Sequence, residues 1–173
     1  MTDYLKYYDL EHYLLEEVGP RFRSSGAIEP IDLFMILIWK ANRAKTKIRD
    51  KLKKQANGNF SDAVGQIAAA LSKAEDRKER FGILMGDWGL RLPMASAILT
   101  ILYPEDFTVY DRRVCDMLHF PYKDWSFSEE CWSEYESYKA AVCKNTPPSL
   151  SLRDRDRFLW GQSFWEAAKR DAQ

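Results

Sequence analysis

At 173 residues the chain is long enough for one domain with a real hydrophobic core and too short for two comfortable ones. Its 26 basic and 26 acidic residues balance, which argues against a generic polyanion binder, because nonspecific nucleic-acid affinity comes mainly from excess positive charge. No basic region with a following apolar stretch and cleavage site opens the chain, and no run is long enough to span a bilayer. A soluble, cytoplasmic monomer without membrane contact is expected.

Apolar residues recur at helical spacing almost throughout, and no sustained alternation suggests a sheet, so the predicted fold is all-α, a compact single-domain helical bundle over residues 1–173. A first helix is predicted from about Asp3 to Glu17, ended by Gly19-Pro20. The second begins at Pro30, a residue suited to a first helical turn, and its apolar segment Leu33 to Trp39 marks it as the central, most buried helix. Arg43 to Lys54 reads as the solvent face of a third helix, closed by the turn Asn57-Gly58-Asn59. Helices from about Ser61 to Lys73 and Asp76 to Met85 follow. Another starts near Pro93 and leaves at Tyr103-Pro104, since proline disfavours helical geometry in the residue before it. Asp111 opens a helix that ends near His119. The last two run from about Ser128 to Lys144 and from Ser151 onward, with Thr146-Pro147-Pro148 as the break and Ser151 with Asp154 at capping-box spacing.

Cys115, Cys131 and Cys143 are irregularly spaced, without the pairing that zinc sites or redox motifs require, so reduced thiols and no metal are expected. The alternating charges of Leu152-Arg153-Asp154-Arg155-Asp156-Arg157 suit intrahelical ion pairs at three- and four-residue spacing that hold the last helix. His12 and His119 are isolated and carry no assigned role. From Lys40 to Lys54 the chain is at its most basic, with only Asp50 opposing eight Lys and Arg residues. Such a run is a solvated helix face or a phosphate-binding stripe.

The most informative stretch is Trp88-Gly89-Leu90-Arg91-Leu92-Pro93-Met94-Ala95-Ser96-Ala97-Ile98-Leu99, followed by Val109-Tyr110-Asp111-Arg112-Arg113-Val114. It reads as a glycine turn opening a small-residue helix, then a lone carboxylate at the start of the next helix. That order resembles the core of the helix-hairpin-helix superfamily of DNA glycosylases, whose hairpin runs roughly Leu-Pro-Gly-Val-Gly-x-Lys-Thr-Ala and whose catalytic Asp follows downstream. The resemblance covers about Ile28 to Trp160 and is specific between Trp88 and Val114. Aligning Ala95 with the motif's alanine puts Pro93 where bifunctional members carry lysine. Arg91 also stands in place of the second motif glycine, and Pro93 removes one N–H donor.

The resemblance implies a monofunctional enzyme: a nucleotide is flipped out of DNA, water attacks the sugar, and a damaged or modified base leaves behind an abasic site. No cofactor is implied, and an all-cysteine iron-sulfur site cannot be built from three cysteines. Asp111 matches the catalytic carboxylate, which stabilises positive charge on the sugar and positions water; the same position suits a plain helix cap. Gly89, Arg91, Ala95 and Ser96 would approach the DNA backbone, where a helix N-terminus offers N–H groups to phosphate. Lys40 and Asn42 are the candidates to fill the gap in the duplex, with Arg43, Lys45 and Lys47 contacting phosphates. Trp39, Trp88, Tyr110 and Trp160 are candidate walls of a base pocket, although core packing competes for each. Lys40 is also the one candidate replacement for the missing amine nucleophile. The expected partner is DNA, and the excised base is left open among alkylated, deaminated and phage-modified bases, in repair or in defence against phage. A noncatalytic hairpin DNA-binding module and a helical protein-interaction domain are the alternatives.

Overall fold

Helix follows helix from Leu10 to Asp171 in the computed structural model, which describes residues 4–172 and contains no strand among them. Asp3, where the first helix was expected to start, lies outside the described residues. After a 3-10 turn at Leu5–Tyr7, α1 (Leu10–Tyr13) is capped by Asp9, whose carboxylate accepts the His12 N–H. Its path does not end at Gly19-Pro20. The hydrogen-bond ladder widens to π spacing over Leu14–Val18 and continues as α2 (Gly19–Ser25), which stops at Gly26 with φ +69°. Widening places Pro20 in the first turn of a new α segment, where no N–H is needed from it.

Ten elements of α-helix follow one another in this described region, continuing with α3 (Pro30–Ala41), α4 (Lys45–Gln55), α5 (Phe60–Lys73) and α6 (Arg77–Gly82). Asn59 and Asp76 cap α5 and α6, and Asn57 and Gly58 make the preceding turn at positive φ. A π turn at Ile83–Asp87 extends α6 and leads through Trp88-Gly89-Leu90-Arg91 into α7 (Leu92–Leu102). The chain then closes with α8 (Arg112–Met117), α9 (Glu129–Lys144) and α10 (Leu152–Asp171). Ser128 caps α9, and Ser151 caps α10 by accepting the Asp154 N–H, as the capping-box spacing predicts.

The most buried helix is α7, not α3. Every residue of α7 except Pro93 is buried, whereas α3 buries Asp32, Leu33, Ile36 and Leu37 and leaves Trp39 half-exposed. The reason lies in side-chain size, because Ala95, Ser96 and Ala97 let α2, α3 and α6 close around α7. Gly19 belongs to that closure, for a Cβ there would strike the Ile101 carbonyl oxygen of α7. Asp32 ties the N-terminal helices to α3, accepting the Tyr13 hydroxyl at 2.6 Å and the Arg21 guanidinium. On the other side, α10 packs on α8 and α9.

Two outcomes follow from this packing. Gly19→Ala should lower unfolding free energy by about 1–3 kcal/mol, the usual cost of overpacking, read by urea denaturation. The thiols should react unequally with an alkylating reagent in the native state. Cys115 and Cys131 are buried, which pushes both thiols up to about 12, so only the half-buried Cys143 should be modified quickly at neutral pH.

Candidate functional site

Between α7 and α8 the chain runs extended and buried, with Phe107 to Tyr110 inside the protein. An extended segment has no helical ladder, and without a sheet its N–H and C=O groups must find other partners. Side chains supply them all across Thr108, Val109 and Tyr110. The Tyr135 hydroxyl accepts the Thr108 N–H at 3.0 Å and donates to the Thr108 carbonyl at 2.9 Å. Asp156 accepts the Val109 N–H at 2.9 Å and the Thr108 hydroxyl at 2.8 Å, while the Tyr138 hydroxyl donates to the Val109 carbonyl at 2.8 Å. Ser96 Oγ accepts the Tyr110 N–H at 3.0 Å, and Lys40 Nζ donates to the Tyr110 carbonyl at 3.3 Å.

Asp111 is the first residue to emerge from this clamp. One carboxylate oxygen accepts the Arg113 N–H at 2.9 Å, so Asp111 caps α8. The other meets Lys40 Nζ at 2.9 Å, and the two side chains keep only 27% and 12% of their accessible surface. Both line a cleft of about 510 Å³. Its floor is Val109, Asp111 and Val114, with Trp39 and Lys40 on the α3 side. Facing them are Glu11 of α1 and Arg153, Asp156, Arg157 and Trp160 of α10.

The α10 side is a network of opposite charges. Glu11 Oε1 meets Arg153 Nη2 at 2.5 Å and Arg157 Nε at 2.9 Å, and Arg153 also pairs with Asp156. Arg157 reaches Asp154 at 3.0 Å, one of the three-residue pairs expected of the alternating run. Burial pushes the Asp156 carboxyl up to about 6 against the pull of Arg153, the Val109 N–H and the Thr108 hydroxyl. Guanidinium groups also cover both cleft tryptophans: Arg153 lies 5.3 Å from the Trp39 ring and Arg113 5.6 Å from the Trp160 ring. Phe164 stacks on Trp160 with centroids 5.7 Å apart.

Asp111, Lys40, Trp39 and Trp160 thus converge, as separate elements bring them to one cleft. Trp88 and Tyr110 do not line it. Trp88 is buried beside the hairpin, and Tyr110 is packed against Tyr122 and Tyr138 with its hydroxyl between Pro121 and Lys123. Ala95 and Ser96 are fully buried and cannot meet a DNA backbone; Ser96 holds the Tyr110 N–H instead. Gly89 makes its turn at φ +58°, and its carbonyl accepts Lys51. Arg91 is tied to Ser126 and, at 3.3 Å, to the Asp124 carbonyl. The α7 N-terminus is covered as well, since the Leu92 N–H donates to the Trp125 carbonyl at 3.4 Å.

Asn42, Arg43 and Lys47 are exposed just past Trp39 and Lys40, and half-buried Lys45 hydrogen-bonds Asn42. Lys40 itself lines the cleft, paired with Asp111. The chain order concealed Glu11, which lies 142 positions from Arg153 and carried no local signal. Among the described residues no group of three or more His, Cys, Asp or Glu side chains is arranged to hold a metal ion, and no helix is long and apolar enough to cross a membrane. No family model matches the chain, and neither a curated protein nor a solved structure matches it.

Asp156 carries the testable part of this geometry. Asp156→Ala would leave the Val109 N–H and the Thr108 hydroxyl unpaired and Arg153 with Glu11 as its one remaining carboxylate, and should destabilise the fold by about 3–5 kcal/mol. Its pH signature has a defined sign. The folded-state value of about 6 exceeds the ordinary 3.8, so the carboxyl's contribution to stability is fully present below 3.8 and lost as pH rises through about 6. Asp156→Asn should flatten that part of the stability profile in urea titrations between these limits.

Proposed function

We propose that this protein is a monofunctional DNA glycosylase that takes an extruded nucleotide into the cleft and hydrolyses its N-glycosidic bond. The carrying observation is Asp111, held on the cleft floor by Lys40 at 2.9 Å with tryptophans on two sides. A cleft of about 510 Å³ suits a small organic group, and aromatic walls suit a flat one. As the base departs, positive charge grows on the sugar, and a fixed carboxylate stabilises it without reorganising. Water adds to the sugar carbon, and the strand remains intact with an abasic site. Lys40 keeps the carboxylate in place. Phosphate contacts are assigned to the exposed Arg43 and Lys47, the filling of the duplex gap to the exposed Asn42, and the hairpin is read as a structural turn.

The Lys40 contact favours one second reading. If Lys40 passes a proton to Asp111, its amine can attack the sugar carbon while the base leaves with a proton, and breaking of the carbon–oxygen bond of the sugar ring, with a proton taken up by the ring oxygen, then leaves an imine that borohydride reduces. Support for the repair or defence setting is the same for both, because neither changes which base is released.

Abasic-site formation by wild type, Asp111→Asn and Lys40→Ala on damaged genomic DNA and on phage DNA with modified cytosines tests both. Wild type should release base, and Asp111→Asn should lose about 100-fold or more of that rate. Borohydride should trap no covalent complex; a trapped complex that Lys40→Ala abolishes establishes the amine route. No release with salt-dependent binding retained points to a noncatalytic binding module. Absence of salt-dependent DNA binding points to a protein-interaction domain.

A further inference from the structure

We infer that the cleft accepts an uncharged nucleobase with a hydrogen-bonding edge and discriminates against cationic alkylated purines; the assignment of a nucleobase rests on the glycosylase reading. Charge balance is the first ground. Three carboxylates line the cleft, and each is already paired: Asp111 with Lys40, Glu11 with Arg153 and Arg157, and Asp156 with Arg153. Lys40, Arg153 and Arg157 line it too, so its formal charges cancel. A cationic guest finds no uncompensated carboxylate and must break an ion pair or stay unpaired while losing water. Either is costly in a partly buried site.

The aromatic walls give an independent ground. Cations are held by the open π face of an aromatic ring. Here Arg153 lies over Trp39 and Arg113 over Trp160, so each tryptophan already has a guanidinium partner that would repel a second cation. Phe164 also stacks on Trp160, so a neutral plane meets ring edges.

The same residues can read an edge. Both guanidinium groups meet Glu11 at Oε1, which leaves Oε2 as an acceptor. Arg157 uses Nε and Nη1 on Glu11 and Asp154, which leaves Nη2 as a donor. A donor on Arg157 and an acceptor on Glu11, two residues that line the same cleft, suit the amide-like edge of an uncharged base.

Departure of the base also differs between the two classes. When the bond to the sugar carbon breaks, its electron pair goes to the base nitrogen, so an uncharged base leaves as an anion and a cationic purine leaves neutral. Overall, water gives its oxygen and one hydrogen to the sugar as a hydroxyl, and the other proton ends on the base nitrogen.

Binding without chemistry separates this inference from the catalytic one. Duplexes with 2′-fluoro nucleotides, whose glycosidic bond resists cleavage, would carry uracil, hypoxanthine, 5-hydroxymethylcytosine or 7-methylguanine at one position. Wild type should bind at least one of the three uncharged probes about tenfold or more tighter than both the unmodified and the 7-methylguanine duplex. Arg157→Ala should erase most of that preference, and Arg113→Ala, by uncovering Trp160, should shift the ratio toward 7-methylguanine. Equal or tighter binding of 7-methylguanine, or no preference for any uncharged probe, overturns the inference. A preference for an uncharged probe with no base released from ordinary duplexes instead defeats the glycosylase reading and leaves the pocket's selectivity standing.

Discussion

Six main-chain groups, the N–H and C=O of Thr108, Val109 and Tyr110, are buried in an extended segment that no sheet supports, and side chains from four helices satisfy all of them. Each such group left unpaired would cost about 1–3 kcal/mol. The segment can therefore exist only where Tyr135 and Tyr138 of α9, Asp156 of α10, Ser96 of α7 and Lys40 of α3 meet. Its satisfaction dictates how those helices dock. It also delivers Asp111, one residue later, to a single place.

Position and charge are coupled at that place. Lys40 serves the Tyr110 carbonyl and the Asp111 carboxylate together, so the clamp and the cleft share a residue. Asp156 does likewise from α10, holding the segment while it pairs with Arg153. Through Arg153 and Arg157 the network reaches Glu11 on α1 and closes the cleft with elements from opposite ends of the chain. A ligand that enters meets groups already oriented by one another, which is the preorganisation that electrostatic stabilisation of a charged transition state requires.

Helical periodicity and caps made most of the fold legible. Asp76, Ser128 and Ser151 mark helix starts in sequence and cap those helices in the structure, while Asn59, read as part of a turn, proves to be the cap of α5. Gly19-Pro20 misled because its meaning depends on ladder spacing upstream: a π turn converts an apparent stop into a first-turn proline. Apolar content likewise ranked α3 above α7, whereas small residues decide how tightly helices can surround one of their number. Asp111, Lys40, Trp39 and Trp160 were visible as chemistry-bearing residue types near breaks. Glu11 and the roles of Tyr135 and Tyr138 were not, since long-range hydrogen bonds to main chain leave no periodic trace. Ala95 and Ser96 show the converse, as small residues that suit close approach of a ligand suit close packing equally well.

Amide hydrogen exchange at Thr108, Val109 and Tyr110 tests the clamp most directly, because loops normally exchange near the unprotected rate and buried bonded amides near that of global unfolding. The account predicts protection at all three comparable to the central amides of α7. Exchange at the rate of an exposed loop would contradict it, and with it the claim that Asp111 is held in a fixed position on the cleft floor.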